Sequence, residues 1–468
     1  MKTKLTPVPG SIVAPKGFLA AGVFCDIKRL GTGKGSQKGN KRDLALIVSE
    51  FPCTVAGMFT SNQVCAAPVK VCIPRAKRGL AQAIVVNSGN ANACTGKQGV
   101  EDALRMARIL AQALPIPEEH VLVGSTGRIG VTLPMYNVKA SILEAVTLLD
   151  DAPASADNAA EAIMTSDTWP KQIAVEFKLS AKTVRLGGIC KGAGMIHPGM
   201  SATGKRPAAA PNRGRPQRHA TLLCFLTTDA AIEAKALQLA LREAVAESFN
   251  RITVDGDMST NDTVLVLANG LAGNPAARTP QSALRTFQSA LNYVCLELAK
   301  MVVRDGEGVS RFVTVRVNGA RTFADADAAA RAVANSSLVR TSWNGGDPNW
   351  GRIIDALGYS AATVVEEKVD IGYSAPRGRA RGESASLDDL SKTPGAAGGQ
   401  KVLWSLKRGQ PTKATFKQLC AAVAGKEFEL HINLNLGRAC GVIYAADLTE
   451  AYVDFNKGDV SDPASLGG

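Results

Sequence analysis

Thr221 stands where a loop enters a buried strand: a small residue, Ala220, precedes it, and the apolar run LLCFL follows. Rigid backbone at such a junction keeps a hydroxyl within attack distance of a substrate, and small misplacements are costly to rate. A threonine hydroxyl is a poor nucleophile unless a base activates it. The chain shows no ready partner, because it contains no G-x-S-x-G elbow and no H-E-x-x-H, and its four histidines do not cluster. His197 follows the apolar pair Met195-Ile196 and reads as a structural hydrogen-bonder. A rival hydroxyl, Thr203, is followed by GKRPAAAPNRGRP, which holds too much Pro, Gly and charge to pack. Carboxylates gather in VDGDMSTNDT, where Asp255, Asp257 and Asp262 accompany Asn261. Such a loop could hold a divalent cation, but it lacks the spacing and terminal Glu of an EF-hand, so hydrogen bonding within the loop is the better reading. In GTGKGS at Gly31, Lys28 stands where a Walker A needs its first glycine, and a flexible loop is the expectation.

Several periodic elements must position these groups. DLALIVSE and CTVAGMFTSN alternate apolar runs with turn residues and predict strands from Asp43 onward. QAIVVNSGNANACTG is a strand opening into a Gly/Asn loop, and Val100 to Leu114 then carries helical spacing. That loop is either a plain strand-to-helix turn or an anion site at a helix N-terminus. VLVGSTGRIG is a strand with a small-residue turn, followed by a helix over 137–149, and helices are also expected over 230–247 and 281–303. The stretch KGAGMIHPGM is Gly-rich turn backbone, since glycine reaches positive φ cheaply. EFELHINLNL reads as an edge or half-buried strand. Short strands alternating with helices indicate an α/β (α+β) sandwich with the Thr221 strand central.

At 468 residues the chain can bury a large core, and 46% hydrophobic with 20% charged residues describes an ordinary globular protein. The net charge of +13 suits acidic partners such as amino-acid carboxylates, coenzyme phosphates or nucleic acid. Much of the excess sits in the Gly/Pro-rich stretches Lys28 to Arg42 and Lys205 to Arg218, which read as solvated loops. Aromatics make up 5% and do not interleave with the Lys/Arg stretches, which argues against a nucleic-acid-binding protein. Prolines at 7, 9 and 15 break any apolar signal region and no stretch reaches membrane-spanning length, so a cytoplasmic protein without a membrane partner is expected. The ten cysteines form no CxxC pair. Cys94, Cys190, Cys224 and Cys295 lie in apolar surroundings and read as buried thiols, with no metal ligation.

Several stretches together resemble the glutamate N-acetyltransferases (ornithine acetyltransferases) of arginine biosynthesis. KGAGMIHPGM and ATLLCFLTTDA match the two halves of that family's self-cleavage region, VDGDMSTNDT its acidic loop, and DGEG and WNGGDPNWGRI later motifs. The resemblance covers nearly the whole chain. It departs at Ser201 to His219, a basic extension between the two halves, and at about 375–402, an inserted loop. The resemblance implies a fold of the ArgJ/DmpA type, no metal and no cofactor. It also implies a cut between Ala220 and Thr221 into an α chain, 1–220, and a β chain, 221–468, joined in an α2β2 heterotetramer. Cleavage would give Thr221 its own base, because a free α-amino group has a pKa of about 7.7 to 8.0 and lies within reach of Oγ.

By the same resemblance Thr221 is the nucleophile and Thr126-Gly127 the oxyanion hole, while Thr168, Lys191, Thr221, Glu307, Asn456 and Ser461 contact substrate. Asn456 and Ser461 fall in NKGDVSDPASLGG, which departs from the family's terminal pattern. By charge, Lys191 suits a substrate α-carboxylate and Glu307 an ammonium or a substrate amide; without the resemblance, structural ion pairs would be the reading for both. The implied reaction is a ping-pong transfer of acetyl from N-acetylornithine to glutamate, with acetyl-CoA a candidate second donor. The two rival classes are a self-cleaving aminopeptidase, which passes the acyl group to water, and a basic nucleic-acid-binding protein; an extension at Ser201 to His219 that spoils the cleavage geometry would leave an uncut precursor.

Overall fold

The structure, a computed structural model, describes residues 4–30, 41–205, 222–276, 281–376 and 401–457, without the side chains of 29–30 and 281–283. Ala220, Thr221, Ser461, the GTGKGS stretch and most of both insertions lie outside the described residues. The chain falls into two compact units, one from Met1–Asn250 with Asp257–Asp305 and Lys457–Gly468 and one from Arg251–Gly256 with Gly306–Asn456.

The first unit is built on a 9-stranded mixed sheet. Its strands are β1 (Thr6–Pro7), β2 (Phe18–Val23), β3 (Leu44–Phe59), β4 (Leu80–Asn90), β5 (Val121–Arg128), β6 (Lys171–Leu179), β7 (Lys182–Lys191), β8 (Leu223–Thr228) and β10 (Thr263–Ala268). They run in the order β1-β6-β7-β8-β10-β3-β4-β5, with β2 also on β3. The two apolar stretches after Asp43 form one strand, β3, whose register shifts between Val48 and Cys53 where Glu50, Phe51 and Pro52 are exposed.

The strand that follows Thr221 is interior, as the LLCFL run predicts. β8 lies antiparallel to β7 and parallel to β10, and all six of its residues are buried. Leu223 and Phe225 join one core cluster with Ile84 and Val85. On the other face Leu226, together with Leu298 of the helix Gln281–Arg304, lies over Gly188 of β7, where a Cβ would come within 2.4 Å of Leu226. Helices therefore cover both faces, which is why β8 is apolar throughout. A boundary between 220 and 221 falls inside this unit, so neighbouring strands β7 and β8 would come from different chains.

The second unit holds a 7-stranded sheet ordered β14-β13-β12-β15-β11-β16-β9. Its strands are β9 (Ile252–Thr253), β11 (Phe312–Ala320), β12 (Asp370–Ser374), β13 (Leu403–Lys407), β14 (Gln410–Pro411), β15 (Glu427–Asn433) and β16 (Ala439–Ala446). Val313, Val315, Phe428 and Leu430 pack with Trp343, Ile353 and the alanines of the helix Phe323–Asn335.

Most helix expectations hold within a few residues: the observed spans are Gly96–Ala113, Met135–Thr147, Ala234–Ala246 and Gln281–Arg304. Three expectations are corrected. EFELHINLNL is no edge strand, because β15 lies between β12 and β11. Its Glu429 and His431 are buried and find partners across strands: Glu429 pairs with Arg316 at 2.6 Å, and His431 Nε2 meets Ser374 Oγ at 2.8 Å. Lys28 is not in a solvated loop; it is buried, and its Nζ donates to the Arg42 carbonyl at 2.6 Å. Cys190, Cys224 and Cys295 are buried, but Cys94 is exposed, because the chain turns there through a left-handed conformation at φ 56.

Candidate active site

The first unit gathers several of the expected residues around the beginning of β8. Leu222, the first described residue after Thr221, is fully buried. Its N–H donates to Asp262 Oδ1 at 2.8 Å, and its carbonyl accepts from Thr263 N at 2.9 Å. Both peptide groups of Leu222 are thus taken by two consecutive residues, which fixes the chain direction at the start of the strand.

The Gly-rich stretch before the extension is tied down with equal care. Gly192, at φ 151, donates its N–H to Asp167 Oδ1 at 2.7 Å. Ser61 Oγ donates to the Gly199 carbonyl at 2.5 Å, Met200 N donates to Asn250 Oδ1 at 2.9 Å, and Ser201 bridges to Phe59. Immediately beyond that bridge Thr203 sits exposed in a turn, its Oγ1 accepting from Lys205 N at 3.4 Å. An exposed turn cannot hold a hydroxyl as rigidly as the mouth of a buried strand, which favours Thr221 over Thr203 as the nucleophile.

Thr126 and Gly127 close β5. The Thr126 side chain is buried, and its Oγ1 has no hydrogen-bond partner among the described residues. A buried hydroxyl left unpaired costs about 1–3 kcal/mol and calls for an explanation. Gly127, at φ +129, admits no side chain, since a Cβ would lie 2.3 Å from the Gly89 carbonyl carbon. Bare backbone and an unused hydroxyl donor side by side are what a developing oxyanion requires.

Thr168 and Lys191 belong to a buried charge network. Lys171 Nζ, fully enclosed, donates to Asp167 Oδ1 at 2.6 Å and to Asp305 Oδ2 at 2.5 Å. Asp305 accepts the Thr168 N–H at 3.0 Å and also the Thr168 hydroxyl, so an exposed threonine is held in one rotamer. Lys191 Nζ donates to Thr165 Oγ1 at 2.6 Å and lies 3.6 Å from Asp167, while its backbone pairs with Leu223. Burial alone would raise the Asp167 pKa, but the Lys171 and Lys191 ammonium groups and the Gly192 N–H outweigh it and hold the carboxyl far below its ordinary range. No local pattern in the sequence joins Lys171, Asp167 and Asp305 into one network, because the network links positions 134 residues apart. A Lys and two Asp flanking the expected Thr168 and Glu307 were the available cue.

The acidic loop is hydrogen-bonded within itself, as expected, with Thr263 Oγ1 donating to the Asn261 carbonyl at 2.8 Å. Its hydrogen bonds run outward as well as within: Asn261 Nδ2 donates to the carbonyls of Ala91, at 2.7 Å, and Ser125, at 2.9 Å. Burial pushes the Asp262 carboxyl up to about 8, against the backbone donors Leu222 and Ser259 and the charge of Lys191.

Glu307 and Asn456 belong to the second unit and meet there, with Asn456 Nδ2 donating to Glu307 Oε2 at 3.0 Å. Thr449 Oγ1 donates to the Gly308 carbonyl at 2.6 Å, and a Cβ on Gly308 would lie 2.3 Å from Tyr452 N, so the helix Glu450–Asn456 rests directly on the DGEG turn. The weakest of the sequence assignments, Asn456, therefore finds Glu307 at hydrogen-bonding distance.

The sequence pattern of the ArgJ family matches residues 23–458. The arginine biosynthesis bifunctional protein ArgJ of Symbiobacterium thermophilum is 48% identical over 447 residues, covering 96% of this chain and 98% of that protein. The protein of the same name from Caldanaerobacter subterraneus subsp. tengcongensis is 45% identical over 372 residues, covering 80% of this chain and 85% of that one. The glutamate N-acetyltransferase of Methanocaldococcus jannaschii is 42% identical over 450 residues, covering 96% and 98%.

Proposed function

The chain belongs to the ArgJ family, and from that premise we propose that it transfers an acetyl group from N-acetylornithine to glutamate, in arginine biosynthesis, through an acetylated Thr221. It is an acyltransferase, and the fold is that of its family. In the proposed reaction, cleavage between Ala220 and Thr221 frees the Thr221 α-amine. The amine takes the proton from Oγ as Oγ attacks the N-acetyl carbonyl, and the oxyanion settles on Thr126 and Gly127. As the C–N bond breaks, the proton passes to the departing ornithine amine. The amine of glutamate then attacks the ester in the same way, and Oγ recovers its proton from that amine. Lys191 and Thr168 would receive substrate on the first unit, and Glu307, Asn456 and Ser461 are further proposed contacts.

The observation that carries the reading is the buried, unpartnered Thr126 hydroxyl beside a glycine that no other residue can replace. Removing one oxyanion donor costs about 2.7–4 kcal/mol of barrier. An α2β2 assembly, a cytoplasmic location and use of acetyl-CoA as a second donor belong to the same proposal. Among the described residues no helix is long and apolar enough to cross a membrane.

Intact mass of the purified protein tests the cut, and acetyl release from N-acetylornithine with and without glutamate tests the reaction. Thr221→Ala is expected to abolish both cleavage and transfer, and Thr203→Ala to spare both. The reverse result moves the nucleophile to Thr203, while acetate release independent of glutamate makes the protein a hydrolase.

A further inference from the structure

Two adjacent side chains in the acidic loop reach two different parts of the proposed machinery. Asp262 Oδ1 accepts the N–H of Leu222, the nitrogen bonded to the carbonyl of residue 221. Asn261 Nδ2 donates to the carbonyl of Ser125, the residue bonded to Thr126, and to that of Ala91. These side chains are consecutive, so the start of β8 and the end of β5 are gripped by one short piece of backbone.

That piece is itself held on every side. Asn261 N donates to Ser259 Oγ at 2.8 Å, and Asn261 Oδ1 accepts from Thr260 Oγ1 at 2.5 Å. Thr60 N donates to the Asp262 carbonyl at 2.8 Å, and Ala66 N to the Thr260 carbonyl at 3.0 Å. Asn261 and Asp262 are buried, so water does not compete for these bonds.

We propose that Asn261 and Asp262 are positioning residues for the transfer reaction, a clamp that sets the distance between the strand led by the nucleophile and the Thr126-Gly127 oxyanion site. The inference rests on the acetyl-transfer reading and deepens it. Neither residue needs to touch substrate. The clamp works because a catalytic hydroxyl and its oxyanion donors must share one frame, and a misplacement of about 1 Å can cost 10²-fold in rate.

The chemistry of each bond makes the clamp specific. Asp262 acts as an acceptor, and its carboxyl favours the protonated state, so an amide of the same shape can replace it. The bond that reaches β8 is made by Oδ1. Asn261 acts as a donor to two carbonyl oxygens, which a carboxylate in its place would repel.

The test compares steady-state kinetics of transfer in four variants, each checked by intact mass and by hydrogen exchange of the β8 segment. Asp262→Asn is expected to keep kcat within about threefold. Asp262→Ala and Asn261→Asp are expected to lose kcat by about 10²-fold with KM within about threefold. Asn261→Ala combined with Asp262→Ala is expected to be no worse than the poorer single variant, because the two act as a unit. A folded Asp262→Ala with the kcat of the wild type overturns the clamp, as does a loss expressed only in KM. Should Asp262→Ala fail to fold, Asp262→Asn decides: a tenfold loss of kcat or failure to fold overturns the proposal. Absence of transfer in the cleaved wild type would instead overturn the function, so the two failures are distinguishable.

Discussion

Replacing Lys171 by Met probes the charge network that holds Thr168. Methionine keeps most of the length and packing of the stem and removes only the ammonium group. In the native protein that group lies 2.6 Å from Asp167 and 2.5 Å from Asp305, with the lysine side chain at 0% exposure and the carboxylates at 0% and 3%. After substitution Asp167 still has Lys191 at 3.6 Å and the Gly192 N–H, while Asp305 keeps, among the described residues, the two Thr168 donors. Removing one partner of a buried pair leaves an uncompensated charge and costs about 3–5 kcal/mol. That is a large part of the roughly 5–15 kcal/mol that holds a domain together, so the variant should fold but melt early. The sign of the pH dependence is set by Asp167. Its folded pKa is depressed, so in the wild type its stabilisation is present above the unfolded value of about 3.9 and is lost only as pH falls through and below that value. In the variant Asp167 loses the Lys171 ammonium that does most to keep it ionised, so it takes up a proton more readily and the stability gap to the wild type should narrow from pH 7 toward pH 4. Hydrogen exchange of the β6 and β7 segments reads this locally. A loss below about 1 kcal/mol at pH 7, or a gap that does not change with pH, would refute the account of a charge held by its partners.

Three further outcomes follow from the same geometry. Thr126→Val removes an unpaired buried hydroxyl, so stability to urea should hold or rise by up to about 1–3 kcal/mol while kcat falls about 10²–10³-fold. A destabilised variant would show that the hydroxyl is paired after all. Gly127→Ala should lower the melting temperature through about 1–3 kcal/mol of backbone strain and abolish transfer, because the new Cβ would meet Gly89; wild-type melting would contradict the positive φ. Asp262 has a folded pKa of about 8, above its unfolded value of about 3.9, so the stability it confers is full below about pH 4 and is lost as pH rises toward 8. Asp262→Asn should therefore gain on the wild type in unfolding midpoint between pH 5 and 8, and parallel pH profiles would show that the carboxyl is ordinary.

What the sequence alone determined was local and periodic. The run LLCFL announced a strand buried on both faces, and the contrast between LLCFLTTDA and GKRPAAAPNRGRP favoured Thr221 over Thr203, a preference that the exposed turn at Thr203 supports. Motifs in the right order identified the family, since each is a short contiguous segment. Other features depended on which strands became neighbours. EFELHINLNL alternates like a half-exposed strand, yet β15 is interior, because Arg316 and Ser374 on adjoining strands satisfy its Glu429 and His431. Lys28 reads as part of a solvated stretch until the fold brings the Arg42 carbonyl against its ammonium group. Lys171, Asp167 and Asp305 form one network only because β6 and the end of the helix Gln281–Arg304 meet in space, and no local period encodes a contact across 134 residues. Periodicity tells which face of an element is buried; only the tertiary structure decides what lies against that face, and hence whether a charge there is solvated, paired or pushed to take up a proton.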